Sequence, residues 1–228
     1  MRKIVLLRHG ESLWNQENRF TGWTDIPLTH KGQREATLAA QLIKKSGIQI
    51  DATFTSVLVR TIHSLWLVLD ELGKQWLPVD RSWRLNERHY GALQGLNKDL
   101  AAQQLGEEQV HAWRKSFRAI PPLLKDEPNR LHLDARYKHV ALSDLPMGES
   151  LEMTIRRMLP YWQHAVIPRI RSGETLLLVG HGNTLRALMM YLGRLDENAV
   201  MHLHVPTGIP IIYTMEDNMD VVRHQLLE

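Results

Sequence analysis

Two short apolar runs, each ending in the same kind of turn, constrain this chain more than any other feature. Ile4 to Leu7 runs into Arg8-His9-Gly10, and Thr175 to Val179 runs into Gly180-His181-Gly182. Apolar runs this short, cut off at once by a polar turn with glycine, read as strands buried on both faces of a parallel sheet. Asp51 to Thr55 is predicted as a third strand. Ser56 is predicted to N-cap a helix whose Leu58, Ile62, Leu65, Leu69 and Leu72 form one buried face. A further helix is expected after Thr29 with Ala36, Ala39, Ala40 and Ile43 inward. Another is expected after Asn183, with Leu185, Leu188, Met189 and Leu192 inward and Gly193 at its end. A helix from about Ser150 contains Pro160, which predicts a kink or break there. Strands alternating with helices give an α/β fold, a three-layer α/β/α sandwich with a mainly parallel sheet. Ala119 to Pro146 holds four prolines (Pro121, Pro122, Pro128 and Pro146) without sustained periodicity and reads as an irregular insertion over the sheet. The whole is read as one domain over residues 1–228, with the insertion at about 92–149.

In an open α/β sheet ligands bind beyond the carboxyl ends of the strands, where both His-Gly pairs fall. Gly10 and Gly182 are expected to let the backbone approach a ligand, and helices starting after Ser12 or Asn183 to aim amides at an anion. Arg60, one turn into the helix after the third strand, can reach the same crevice. An imidazole with one bare nitrogen can attack phosphorus while guanidinium groups neutralise the equatorial oxygens, which describes phosphoryl transfer through phosphohistidine. Such chemistry needs a proton donor for the leaving oxygen, and Leu85-Asn86-Glu87-Arg88-His89-Tyr90-Gly91 supplies candidates.

Plainer readings compete. With 12 histidines in 228 residues, any one of them is more often structural than catalytic. A metal centre at His9 and His181 is disfavoured by the arginines beside them, which repel a cation. The 7 tryptophans and the pair Arg114-Lys115 raise stacking on nucleic acid, but no dense basic run is present, and 28 Lys+Arg against 25 Asp+Glu leave a net charge of only +3. No apolar run approaches the roughly 20 residues that span a bilayer. The absence of cysteine excludes disulfides and thiolate ligands and, with no export signal, makes the cytoplasm the expected compartment.

Leu7-Arg8-His9-Gly10-Glu11 and Gly180-His181-Gly182-Asn183 resemble the two signatures of the histidine phosphatase superfamily. Asn18 to Trp23, Phe54 to Leu58, Trp83 to Lys98 and Pro206 to Pro210 resemble, in order, the cofactor-dependent phosphoglycerate mutase family within it. The resemblance runs from about residue 1 to 215. It implies that His9 is the phosphorylated nucleophile, that Glu87 is acid and then base, and that Arg8, Arg60 and His181 surround the transferred group. It further implies substrate contacts from Gly10, Glu11, Ser12, Asn15, Thr21, Gly22, Arg88, His89, Tyr90, Lys98, Arg114, Lys115, Gly182 and Asn183. The implied reaction interconverts 2- and 3-phosphoglycerate, primed by 2,3-bisphosphoglycerate without a metal. The alternatives are bisphosphoglycerate synthesis or hydrolysis, a broader phosphatase, or a silent binder of phosphometabolites. Phosphoglycerates are the implied partners, with no nucleic acid or membrane, in a homodimer or homotetramer. Two departures from the family stand out. Lys115 replaces a usual arginine, and the chain after Pro210 is short, which is expected to leave the phosphoenzyme more prone to hydrolysis.

Overall fold

The computed structural model describes residues 1–228. Its six strands are β1 (Arg2–Arg8), β2 (Ala52–Thr55), β3 (Val79–Arg81), β4 (Leu176–Gly180), β5 (Pro210–Met215) and β6 (Val221–Leu226). They form one sheet in the order β3-β2-β4-β1-β5-β6. The four strands from β3 to β1 are parallel, and β5 and β6 extend the sheet antiparallel. The ten α-helices are α1 (Leu13–Gln16), α2 (His30–Lys45), α3 (Val59–Leu72), α4 (Lys98–Leu105), α5 (Glu107–Lys115), α6 (Glu127–His132), α7 (Leu151–Tyr161), α8 (Ile167–Arg171), α9 (Gly182–Gly193) and α10 (Glu197–His202).

The period of two along β1 and β4 divides the core between the faces of the sheet. Ile4, Leu6, Leu176 and Leu178 pack with α7, α8 and α9 around the fully buried Trp162. Val5, Leu7, Leu177 and Val179 pack against α2 and α3. These are the three layers read from the sequence, because strands covered on both sides have no polar face to show. In α2 the buried positions are Ala36, Ala39, Ala40 and Ile43, joined by Gly32, and the Thr29 side chain caps the helix through the Gly32 amide.

Four local expectations are corrected. Ser56 does not cap α3; Leu58 occupies the cap position, and the Val59 amide donates instead to Asp25 Oδ1 at 2.7 Å. On α3 itself Ile62 and Leu72 are only half-buried, and the inward residues include Arg60, Thr61 and Ser64. The helix after the second histidine begins at Gly182 with His181 as its cap, two residues earlier than expected. Helix α7 passes through Pro160 unbroken; the irregularity follows as a wider π turn over Trp162–Val166, between two prolines, Pro160 and Pro168, that lack amide donors.

The segment from Ala119 to Pro146 is more ordered than its prolines suggest. It contains α6 and a 3-10 turn at Leu142–Asp144. Leu131, Tyr137, Val140 and Leu145 gather around Trp23, with the Tyr137 and Trp23 rings stacked at 5.3 Å. Earlier in the insertion, Leu93, Ala101 and Val110 pack on Phe20 and Tyr90. These two small cores hold the segments 20–23 and 83–93 over the carboxyl ends of β1 and β4.

Candidate active site

Register places the two histidines. Arg8 pairs with Gly180 across β1 and β4, and the His9 amide donates to the Gly180 carbonyl at 3.0 Å. The chains then turn apart, leaving the two imidazoles edge to face with centroids 5.2 Å apart. His9 Nδ1 lies 2.7 Å from the Gly10 carbonyl oxygen. A carbonyl only accepts, so Nδ1 carries the hydrogen and Nε2 keeps the lone pair. His181 is fully buried, with Nε2 on Ser56 Oγ at 2.8 Å and Nδ1 without a protein partner. Burial pushes both imidazoles well below the usual range, and the neighbouring Arg60 and Arg8 push further in the same direction. The neutral form of both rings is thereby favoured.

Cations surround the pair. Arg60, fully buried on α3, donates to the Gly22 and Thr24 carbonyls at 2.7 and 3.0 Å. Burial pushes it down to about 10, against the attraction of Glu87 and Asp25, so it keeps its charge at neutral pH. Arg8 donates to the Val205 carbonyl at 2.8 Å while its Nε stays unpartnered. Glu87 is held by three elements. Its Oε1 accepts from the Arg88 and Asn183 amides at 2.9 and 3.1 Å, and its carbonyl accepts from Trp23 Nε1 at 2.6 Å and from Arg157. The carboxylate thus sits at the N-terminus of α9, where the exposed amides favour a negative charge.

Arg8, His9, Arg60 and Glu87 line a cavity of about 160 Å³, whereas His181, fully buried against His9, does not reach its wall. Arg8, His9, Asn15, Thr21, Gly22, Arg60, Glu87, Tyr90, Lys98, Arg114, Lys115, Gly182 and Asn183, all read from the sequence, lie on its wall. Burial lowers Lys98 and Lys115, and neighbouring arginines add to the effect on both. Tyr90 is lowered as well; burial opposes this, but Arg88 and the hydrogen bond from Asn183 outweigh it.

Five expected contacts lie off that wall. A side chain on Gly10 would meet the Gly32 carbonyl at 2.0 Å, so this glycine admits helix α2, whereas at Gly182 it is the Arg8 guanidinium that needs the room. The carboxylate of Glu11 is occupied by Thr29 and Lys31. Ser12 is the cap of α1. Arg88 is fully buried beside Tyr90, and it donates to the Tyr90 hydroxyl and to the Arg114 carbonyl, both at 3.0 Å. His89 accepts from the Gly91 amide and faces Glu127 at 3.4 Å, tying the loop of Glu87 to α6. Sequence reading also missed Arg19, Arg186, Leu203, His204 and Val205. Arg186 follows Gly182 by four residues, a helical spacing that puts both on one face of α9 and was available as a signal.

The family model of the histidine phosphatase superfamily (branch 1) matches residues 4–226. The chain belongs to the histidine phosphatase superfamily. Among relatives, it is 52% identical over 228 residues to the 2,3-bisphosphoglycerate-dependent phosphoglycerate mutase of Baumannia cicadellinicola subsp. Homalodisca coagulata, covering 100% of this chain and 96% of the relative. The protein of the same name from Blochmanniella pennsylvanica (strain BPEN) is 47% identical, with 99% and 98% covered. Among solved structures, a mycobacterial glucosyl-3-phosphoglycerate phosphatase superposes with a TM-score of 0.74 at 24% identity over 99% of this chain and 97% of that one, a likeness of fold. The mixed sheet and its covering helices are therefore those of the superfamily.

Proposed function

We propose that this chain interconverts 2- and 3-phosphoglycerate through phosphorylated His9, as the names of its two relatives state for them. The observation that carries the reading is the set of buried donors with no protein partner on the cavity wall: Arg8 Nε, Thr21 Oγ1 and Arg186 Nε. Buried donors left unpaired cost about 1–3 kcal/mol each, and a ligand with several anionic oxygens answers them all. The residues therefore fit 2,3-bisphosphoglycerate. When bound, it supplies the phosphoryl group that primes His9.

In this reading the bare Nε2 of His9 attacks phosphorus, forming an N–P bond as the bond to the leaving oxygen breaks. Arg8, Arg60 and His181 take up the charge on the equatorial oxygens. Glu87, in its acid form, delivers its proton to the leaving oxygen and takes a proton back from the acceptor hydroxyl in the reverse sense. Lys98, Arg114, Lys115 and Arg186 hold the far end of the ligand. The charge neutralisation comes from guanidinium groups, so no metal enters the scheme.

A coupled assay from 3-phosphoglycerate in EDTA, with and without catalytic 2,3-bisphosphoglycerate, tests this. Activity that withstands EDTA, rises with the bisphosphate and vanishes in His9→Ala supports it; an inactive wild type overturns it. Phosphatase turnover measured in parallel separates the mutase from a phosphatase. No helix is long and apolar enough to cross a membrane. Light scattering distinguishes a homodimer from a homotetramer.

A further inference from the structure

Two buried hydroxyls behind His181 determine which of its nitrogens carries a proton. Thr61 Oγ1 donates to the Leu58 carbonyl at 2.9 Å, and a carbonyl can only accept. With its one hydrogen committed, Thr61 Oγ1 accepts from Ser56 Oγ at 2.7 Å. The hydrogen of Ser56 is then committed too, so the 2.8 Å contact to His181 Nε2 is a donation from the imidazole. The second lone pair of Ser56 Oγ takes the Leu58 amide at 3.1 Å. Every direction in this chain is fixed by the carbonyl at its end. Ser56, Thr61 and His181 are all fully buried, so water offers no alternative partner.

We propose that Ser56 and Thr61 form a directional relay that keeps Nε2 of His181 protonated in every state of the site, so that Nδ1 alone gains or loses a proton. In the resting chain Nδ1 is bare. When an anionic phosphoryl group lies beside the ring, a proton taken up at Nδ1 makes an imidazolium with both N–H groups partnered, one by Ser56 and one by the anion. A serine free to turn its hydrogen toward Nε2 would oppose that cation. Ser56 and Thr61 are positioning residues acting through His181, and their effect on turnover rests on the phosphoryl chemistry proposed above. The tautomer itself does not. The charged and titratable groups acting on His181 are His9, Arg8, Arg60 and Arg157.

The test is nitrogen NMR of histidine-labelled full-length chain, with His181 assigned by its absence in His181→Asn. The wild type is expected to show a protonated Nε2 and a bare Nδ1. Orthovanadate, as a phosphoryl mimic, is expected to protonate Nδ1 and leave Nε2 unchanged. Thr61→Val removes the acceptor that holds the hydrogen of Ser56. It is expected to populate the Nδ1–H form and lower kcat about tenfold with KM within about twofold, in the range seen when partners of a functional imidazole are removed; Thr61→Ser is expected to restore both. A resting wild type protonated at Nδ1 overturns the relay. So does a Thr61→Val chain that keeps the Nε2–H tautomer, whether or not its activity falls. A chain inactive toward phosphoglycerates would overturn the proposed reaction and leave the tautomer result standing.

Discussion

Glu87 differs from the other acids near the cavity in having its carboxylate held by backbone amides alone, from Arg88 and Asn183. No lysine or arginine side chain pairs with it, so its second oxygen is left facing the cavity rather than tied up in an ion pair. If it serves as the acid, Glu87→Gln should lower kcat for phosphoglycerate by about 10²- to 10⁴-fold. Hydrolysis of p-nitrophenyl phosphate, whose leaving group needs no proton, should lose much less, and comparing the two rates checks the role. His9 and His181 bear on stability as well. Burial, with Arg60 and Arg8, holds both below the usual imidazole range in the folded chain. Between those lowered values and the unfolded value near 6.5, the unfolded chain binds more protons. The stabilisation is therefore fully present above about pH 6.5 and is lost as the pH falls, by about 1.4 kcal/mol per pH unit for each histidine. Calorimetry on the ligand-free chain should show melting temperature dropping from pH 7 to 5, and less steeply in His181→Asn. The sequence made the two histidines and Glu87 visible through their motifs. It hid the tautomers, because these depend on the Gly10 and Leu58 carbonyls and on a serine 125 positions from His181.

Between side chain and sheet, the element that positions Glu87 is the loop from Trp83 to Gly91, which hangs from α7. Arg157 on α7 donates to the carbonyls of Trp83, Arg84, Asn86 and Glu87, and its charge is answered by Glu149 at 2.7 Å. Glu149 in turn accepts the His89 amide at 2.8 Å. Removing one member leaves a buried charge alone, so Arg157→Met should cost about 3–5 kcal/mol by chemical denaturation. Where the variant folds, kcat should fall more than KM rises, because the loop carrying Glu87 loses its anchor. A second cluster, Glu127 with His89 and Arg130, fastens the same loop to α6. Burial works against the Glu127 carboxylate, but the bonds from His89 and Arg130 outweigh it and hold its pKa at about 2. Helix α2 was legible because its alanines recur at helical spacing. The order within residues 119–146 was not, since it depends on Trp23 about a hundred positions away, and prolines there register only as breaks. The cap of α3 was misread for the same reason. Asp25 lies 34 positions from Val59, and no local pattern links them.

Across the whole chain a net charge of +3 conceals a strong asymmetry. Arg8, Arg60, Lys98, Arg114, Lys115 and Arg186 converge on one cavity, where Glu87 is the carboxylate on the wall. Salt screens such a field, so KM for an anionic substrate should rise severalfold between about 0.05 and 0.5 M salt while kcat changes little; steady-state assays across that range check it. The parallel centre of the sheet was readable from its apolar runs, but the antiparallel turn into β5 and β6 was not, because strand direction is set by the connections and leaves no local trace. Arg8 and Gly180 share a rung, so slow breathing of the sheet carries His9 and His181 together. The cavity walls are tied differently. Arg88 and Arg186 hold the Arg114 and Lys115 carbonyls, and Arg8 holds that of Val205. Bonds of that kind can open and re-form during one turnover while the imidazoles keep their spacing. The walls then govern how long a guest stays, and the strands govern what happens to it while it is there.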